Sequence, residues 1–412
     1  MEFGIEAANV YGGQTCLDVR TLFEARKLDL SRFENLMMEK KAVALPWEDA
    51  ITNGVNAAKP IIDRLSPEER SRIEMVIAAT ESGNDFGKAS STYMHDYLGL
   101  HRNCRLFEVK QACYGGTAAL QMALCFVASG VSPGAKALVI ATDEARHGAR
   151  GSYHEPSQGT GAVAVLVGNA PTVLSMDLGA NGLYSYEVMD TCRPQPGLEA
   201  GDPDLSLLSY LECLQQSFRA YMDRVEGADF RTSFDYLVFH TPFAGMVKGA
   251  HRKMMRTFGG PGQGGESVEA DFQRRMGPSL RYCTQVGNIY SATVFLALCG
   301  LIDHAPASDF QRVGLFSYGS GCASEFYSGT FTPAARQAQA RFDIGGHLAR
   351  RHQLRMEEYE AIHDRSEEVG FGTRDAEVAI GNLGDIYERQ FAGRKLLRLE
   401  RVKGFHREYA WT

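Results

Sequence analysis

One cysteine in this chain stands apart from the other eight by its setting. In the run Gln-Ala-Cys113-Tyr-Gly-Gly-Thr-Ala-Ala-Leu-Gln-Met-Ala-Leu, Cys113 precedes two glycines and then an unbroken apolar, helix-forming stretch. That pattern puts the thiol at a helix N-terminus. There the positive end of the helix dipole and free backbone N–H groups favour thiolate over thiol and would lower the pKa from about 8.5. A residue so placed can take an acyl group from a thioester, with the glycines admitting the thioester and the backbone N–H groups holding its oxyanion. Free cysteines are more often small buried hydrophobes. Cys125, inside the same helical run between Leu124 and Phe126, reads as one of those, packed and inert.

Two further residues have the right chemistry for proton transfer. Glu81 ends an apolar strand and is followed by Ser-Gly-Asn-Asp; partial burial there would raise its pKa and let it exchange protons near pH 7. Alone, such an acid reads better as a helix cap or a solvated loop residue. His240 closes the strand Phe-Asp-Tyr-Leu-Val-Phe ahead of Thr-Pro-Phe, where it can donate to a carbonyl or shuttle a proton, although a lone histidine is more often structural. His147, His154 and His251 have weaker settings. Asn288 in Gly-Asn-Ile-Tyr-Ser, and Ser317, Tyr318, Gly319 and Ser320 in Phe-Ser-Tyr-Gly-Ser-Gly, offer hydrogen bonds to a substrate. Their plain readings are an N-cap and a tight turn. The glycines at 319 and 321 lack dinucleotide-site spacing. Tyr153, Tyr210 and Phe243 fit a pocket or a core equally well.

The elements that must position these residues have α/β patterning. Apolar runs at 73–80, 104–109, 137–141 and 161–168 alternate with helical segments. Runs such as Ala-Leu-Val-Ile-Ala are continuously apolar, so the sheets should be covered on both faces. The second half repeats the pattern, with a strand over 236–240, a buried helix over 288–301 and a strand over 313–318. Glu81, Cys113, His240 and Asn288 then fall at equivalent strand ends and helix starts around one cleft. The reading divides the chain into pseudo-repeated halves, 1–170 and 171–412. A helix-rich tail from about residue 335 is expected to pack on the second half.

Bulk properties exclude several classes. The 412 residues exceed a typical single domain, and 44% hydrophobic with 23% charged residues describes a folded globular chain. A net charge of −7 disfavours nonspecific nucleic-acid binding. The longest apolar stretches, such as 292–302, fall short of the ~20 residues of a membrane span, and no basic-then-apolar signal opens the chain, so the cytoplasm is expected. Nine cysteines without paired spacing suggest reduced thiols and no metal site. A basic segment holds Arg26, Lys27, Arg32, Lys40 and Lys41, with 30–41 read as a short helix begun by Asp29 or Ser31. On its own it reads as a solvated helix face.

Taken together, Thr-Glu81-Ser, Ala-Cys113-Tyr-Gly-Gly-Thr, His240-Thr-Pro-Phe, Gly-Asn288-Ile-Tyr and Phe-Ser317-Tyr-Gly-Ser-Gly resemble, in order and along most of the chain, the motifs of 3-hydroxy-3-methylglutaryl (HMG) synthases. The resemblance implies the thiolase fold, five-layered αβαβα and homodimeric. It makes Cys113 the nucleophile, Glu81 the general acid/base and His240 the group that polarises the acceptor carbonyl. No tightly bound cofactor or metal is implied. Where enzymes of the family that use coenzyme A carry a phosphate-binding lysine, this chain has Gly245. Lys248 could compensate, which keeps open a primary-metabolism enzyme acting on acetyl-CoA and acetoacetyl-CoA. The stretch from His240 to Arg252 is more similar to the HMG synthases of polyketide β-branching. That implies substrates on the phosphopantetheine of carrier proteins: an acetyl donor carrier and a polyketide-synthase acceptor carrier. Arg32 and its neighbours would then face acidic carriers. A noncatalytic scaffold would be expected to have lost Cys113, and a ketoacyl synthase would use two histidines with no glutamate at Glu81.

Overall fold

The computed structural model describes residues 2–412 apart from 146–149, 153, 196–197, 260–263, 307–309 and 367, so His147 and Tyr153 lie outside the described residues. Nine strands form one mixed sheet. In chain order they are β1 (Gly4–Tyr11), β2 (Ile73–Ala79), β3 (Arg105–Val109), β4 (Lys136–Asp143), β5 (Gly161–Gly168), β6 (Leu174–Ser185), β7 (Tyr236–Phe239), β8 (Gln311–Gly319) and β9 (Ala323–Phe331). Their order across the sheet is β7-β8-β9-β6-β1-β5-β4-β2-β3.

The repeat expected from the sequence is visible in this order. In the first half β1 pairs antiparallel with β5, β5 antiparallel with β4, and β4 parallel with β2. In the second, β6 pairs antiparallel with β9, β9 antiparallel with β8, and β8 parallel with β7. A short antiparallel contact between β1 and β6 joins the halves.

Helices α1 (Leu30–Leu36), α2 (Ala50–Ile62), α3 (Gly115–Ala128), α4 (Pro203–Arg224), α5 (Ala244–Phe258) and α6 (Thr293–His304) supply the other layers. Alternate strand residues enter different cores. Val139 and Leu315 face a central core with Leu120 of α3 and Phe295 of α6, whereas Ile140 faces α2 and Phe316 faces α4 and α5. Both faces of each half-sheet are thus covered, which is why the strands are apolar without alternation. The chain forms the five layers αβαβα that the resemblance implies.

The tail departs from expectation. Its first helix, Pro333–Ala340, packs on α6, but beyond it the chain forms a three-stranded sheet of Ala376–Glu377, Leu397–Lys403 and His406–Trp411. That sheet covers the first half, not the second. Leu397 and Leu399 join the core of α2, Trp47 meets Tyr387 and Phe391 edge-on at 5.6 Å, and the Asn56 amide pairs with both backbone groups of Leu397. The alternation of Leu397, Leu399 and Val402 with charged residues is a strand period that the many arginines and glutamates obscure. Among the described residues no helix is long and apolar enough to cross a membrane.

Candidate active site

Parallel pairing of β2 with β4 aligns Ala79 with Ala141, so the chain leaves β2 at Glu81 beside Asp143 on β4. Asp143 is fully buried and ties the site together. Its Oδ1 accepts from Thr80 Oγ1 (2.9 Å), the Glu81 N–H (2.8 Å) and both the N–H and hydroxyl of Ser82. Its Oδ2 accepts from the N–H and hydroxyl of Ser291, at 3.1 and 2.6 Å. One carboxylate therefore fixes both the turn that carries Glu81 and the start of the second-half helix. Sequence reasoning missed it, although Thr-Asp143-Glu ends its strand as Thr-Glu81-Ser ends β2.

Cys113 sits in a tight turn before α3, with Ala112 at φ 44° in the left-handed region. Its thiol donates to Glu81 Oε1 at 3.5 Å. The expected depressed thiol pKa is not found. Burial, and then the negative charge of Glu81 and Asp143, hold the thiol well above its ordinary value, outweighing the helix dipole. Burial also pushes Glu81 up to about 8 against the pull of Arg193, with Asp143 and Glu199 adding to the rise. The second glycine after Cys113 serves packing: a β-carbon on Gly116 would overlap the Ser291 carbonyl, so α3 and the segment opening α6 touch backbone to backbone. Cys125 is exposed, because it lies with Met122 on an outward stripe of α3, and is not the packed residue expected.

His240 follows β7, equivalent in the second half to β2. Its N–H donates to Phe316 O at 2.8 Å and its carbonyl accepts from Tyr210 Oη at 2.8 Å. The ring is buried, Nδ1 has no partner among the described residues, and burial drops the imidazole to about 3, so it is neutral at pH 7. Asn288 does not open a helix directly. Its Oδ1 accepts from the Tyr290 N–H and Thr293 Oγ1, capping a 3₁₀ turn, Tyr290–Ala292, that leads into α6.

Glu81, Cys113, His240, Asn288, Tyr318 and Ser320 line one cavity of about 1160 Å³, joined by His154, Tyr210 and Phe243. Ser317 and Gly319 are not in its wall. Ser317 is fully buried on β8 with its hydroxyl unpartnered among the described residues, and Gly319 backs onto the Gln111 carbonyl beneath the cysteine turn. Tyr318 Oη donates to Asp190 at 2.5 Å, and the same carboxylate accepts from the Gly321 N–H. His251 is structural, buried and paired with Asp271 at 2.8 Å. Arg193, Glu199 and Tyr290 also line the cavity; no spacing in the sequence marks them. Among the described residues no cluster of three or more ligating side chains could hold a metal ion.

The basic segment is smaller than its sequence suggests. Arg26 is paired with Glu155 at 2.8 Å and with Glu360, and Lys41 is buried with its ammonium on the Glu155 carbonyl. Its helix is α1, capped by Asp29 and ending at Leu36, and Lys40 and Lys41 belong to a strand. Arg32 and Lys27 are exposed. A β-carbon on Gly245, at the start of α5, would overlap the carbonyl oxygen of Asn35 in α1. Lys248 is bonded to Glu269 at 2.7 Å and does not replace a missing cation.

These layers and this cysteine–glutamate–histidine cavity define a thiolase-fold enzyme. Profiles described as hydroxymethylglutaryl-coenzyme A synthase N terminal and C terminal match residues 53–171 and 266–376. The chain is 56% identical over 99% of both sequences to the polyketide biosynthesis 3-hydroxy-3-methylglutaryl-ACP synthase PksG of Bacillus subtilis (strain 168). It is 33% identical to the hydroxymethylglutaryl-CoA synthase of Enterococcus faecalis, over 88% of this chain and 91% of that one. The curacin biosynthetic pathway HMG synthase in complex with holo donor-ACP superimposes with a TM-score of 0.97 at 55% identity over the whole of both chains. The protein belongs to the hydroxymethylglutaryl-CoA synthase family.

Proposed function

We propose that this protein is a carbon–carbon bond-forming acyltransferase that installs an HMG-type β-branch on a carrier-bound polyketide. Cys113 takes acetyl from an acetyl-acyl carrier protein; its proton passes through Glu81 to the departing phosphopantetheine thiol. Glu81 then removes a methyl proton, and the enolate attacks the β-ketone of an acyl chain on a second carrier. Neutral His240 donates a hydrogen bond to that ketone, and Glu81 returns its proton to the alkoxide. Water finally attacks the Cys113 thioester, freeing the thiol and leaving a carboxylic acid on the branch. The backbone N–H of Cys113 holds the oxyanions, since those of Tyr114 and Gly115 already donate to Gln111 and Ala112, and Asn288, Tyr318 and Ser320 orient the thioesters.

The observation that carries this reading is the thiol of Cys113 bonded to Glu81 at 3.5 Å in a cavity whose opposite half supplies His240. A carrier is favoured over coenzyme A because α1 fills the space beside Gly245, where the phosphate-binding lysine would stand, and Lys248 is already paired. The likeness to PksG and to the curacin synthase with its donor carrier supports the same choice. Arg32, exposed on α1, is the proposed carrier contact. The halves 1–170 and 171–412 are proposed as the two repeats, the second beginning just before β6. The unpaired outer edge of β3 and the exposed Met122 beside it favour a homodimer. Nine free thiols suit the cytoplasm.

The test is intact-protein mass after brief incubation with acetyl-CoA or with acetyl-loaded carrier, using Cys113→Ala as control. One acetyl group on the wild type, fast from carrier and slow from acetyl-CoA, is expected. Efficient loading from acetyl-CoA alone would favour a CoA-dependent enzyme, and no loading from either would overturn the nucleophile.

A further inference from the structure

Arg193 lies on an antiparallel ribbon of Thr191–Gln195 and Leu198–Gly201 that enters the cavity wall beside Glu81. Its Nη1 donates to the Glu81 carbonyl at 3.2 Å, and its Nη2 stands 3.8 Å from Glu81 Oε2 and 3.5 Å from Glu199 Oε2. The guanidinium lies over the Tyr290 ring at 5.1 Å. Glu199 is held in turn by Gln158 Nε2 at 2.8 Å and by the Tyr290 hydroxyl at 3.5 Å. The arginine side chain is only 17% exposed, so its charge acts across a poorly screened gap.

We propose that Arg193 is a positioning residue that decides when Glu81 holds or releases its proton, with Glu199 as the counterweight. The other groups facing Glu81 are Cys113 from the α3 turn and Asp143 from β4. Among these partners Arg193 is the cation and the rest are acids or a thiol. Without it the Glu81 proton would be held too tightly for the carboxylate to serve as a base at neutral pH. With Glu199 absent, the arginine charge would fall on Glu81 undiluted and the proton would be released too early to reach the alkoxide. The arrangement suits a group that must both take a proton from a methyl and return one.

The inference rests on Glu81 as the acid/base, and two readouts separate the two ideas. The first is the protonated-carboxyl stretch of Glu81 in infrared difference spectra against Glu81→Gln, followed over pH. Removing a cation within about 4 Å of a carboxyl moves its titration by about 1–3 pH units. In Arg193→Gln the midpoint should rise by at least about one unit, Arg193→Lys should restore most of it, and Glu199→Gln should move it down. Shifts of opposite sign cannot come from misfolding. A midpoint unmoved in both Gln variants would overturn the proposal. The second readout is the acidic limb of the condensation rate, which should follow the spectroscopic midpoint. A spectroscopic shift with an unmoved rate profile would leave the Arg193 role standing and sink Glu81 as the base.

Discussion

Gly245→Ala tests how the chain is arranged to meet a carrier. Alanine in the first turn of a helix is favoured over glycine by up to about 1 kcal/mol, so a position with room would gain stability. Here the added β-carbon would overlap the Asn35 carbonyl oxygen, which belongs to backbone and cannot rotate away. Overpacking of that kind costs about 1–3 kcal/mol, more than the helical gain, so the variant should lose about 1–2 kcal/mol. Part of the cost is relieved by displacing α1, a seven-residue helix that buries only Leu36 and is the softer partner. Arg32 rides on that helix. Acetyl transfer from the carrier to Cys113 should therefore slow several-fold, while loading from acetyl-CoA is unchanged from the wild type. Urea unfolding and timed intact-mass measurements read the two effects. A variant as stable as the wild type that loads from carrier at full rate would refute the packing argument.

Three other outcomes follow from the site. Glu81 titrates near 8 in the folded chain but near 4.5 when exposed, so the native state binds the extra proton between these values and stability falls as pH rises through them. Glu81→Gln removes that penalty and should be more stable than wild type at pH 9, by on the order of 5 kcal/mol at most, with the gap closing towards pH 5. Equal stability at both pH values would mean that the carboxyl is not held protonated by its surroundings. Iodoacetamide should modify Cys113 slowly at pH 7 and faster with each rise in pH, and above pH 8, where Glu81 is ionised, Glu81→Gln should quicken it by removing the nearest anion; a pH-independent rate would contradict the raised thiol. Asp143→Asn keeps one acceptor oxygen but turns an amide towards the Ser291 N–H, which is left unpaired in the core. A loss of about 2–4 kcal/mol in denaturant unfolding is expected, and a loss under 0.5 kcal/mol would remove Asp143 from its tying role.

Much of this was legible before folding. Continuous apolar strands announced covered sheets, and a polar residue at the end of each, or at the start of each central helix, marked Glu81, Cys113, His240 and Asn288 for one cavity. What stayed hidden depended on neighbours far apart in sequence. Asp143 is recognisable only once β4 is known to lie beside β2, and Arg193 only once its ribbon is folded against Glu81. The thiol was misjudged because the helix terminus is local and visible, whereas burial beside two carboxylates is not. Ser317 and Gly319 share a loop motif with Tyr318 and Ser320, but strand alternation and the cysteine turn face them away from the cavity.

The raised thiol bears on how the reaction begins. A thiolate formed in advance would sit beside Glu81 and Asp143, and the repulsion together with burial makes it costlier than the protonated pair. The Sγ–H to Oε1 contact points the thiol proton at Glu81, the group that receives it on the proposed reading. On the proposed reading, attack on the donor thioester is then coupled to proton transfer, so the nucleophile is generated when the acyl group arrives. A Glu81 poised near 8 is a stronger base than an ordinary carboxylate, which brings it closer to matching the thiol. On the same reading, acetylation of Cys113 removes the thiol proton and leaves the Glu81 carboxyl beside the acetyl group. His240, neutral because it is buried, can donate a hydrogen bond to the acceptor ketone without adding a cation that would pull Glu81 down and blunt it as a base. The unpartnered Nδ1 and the desolvated ring thus belong to the same design as the raised carboxyl: each half of the repeat contributes a strand-end group whose charge state is set by burial.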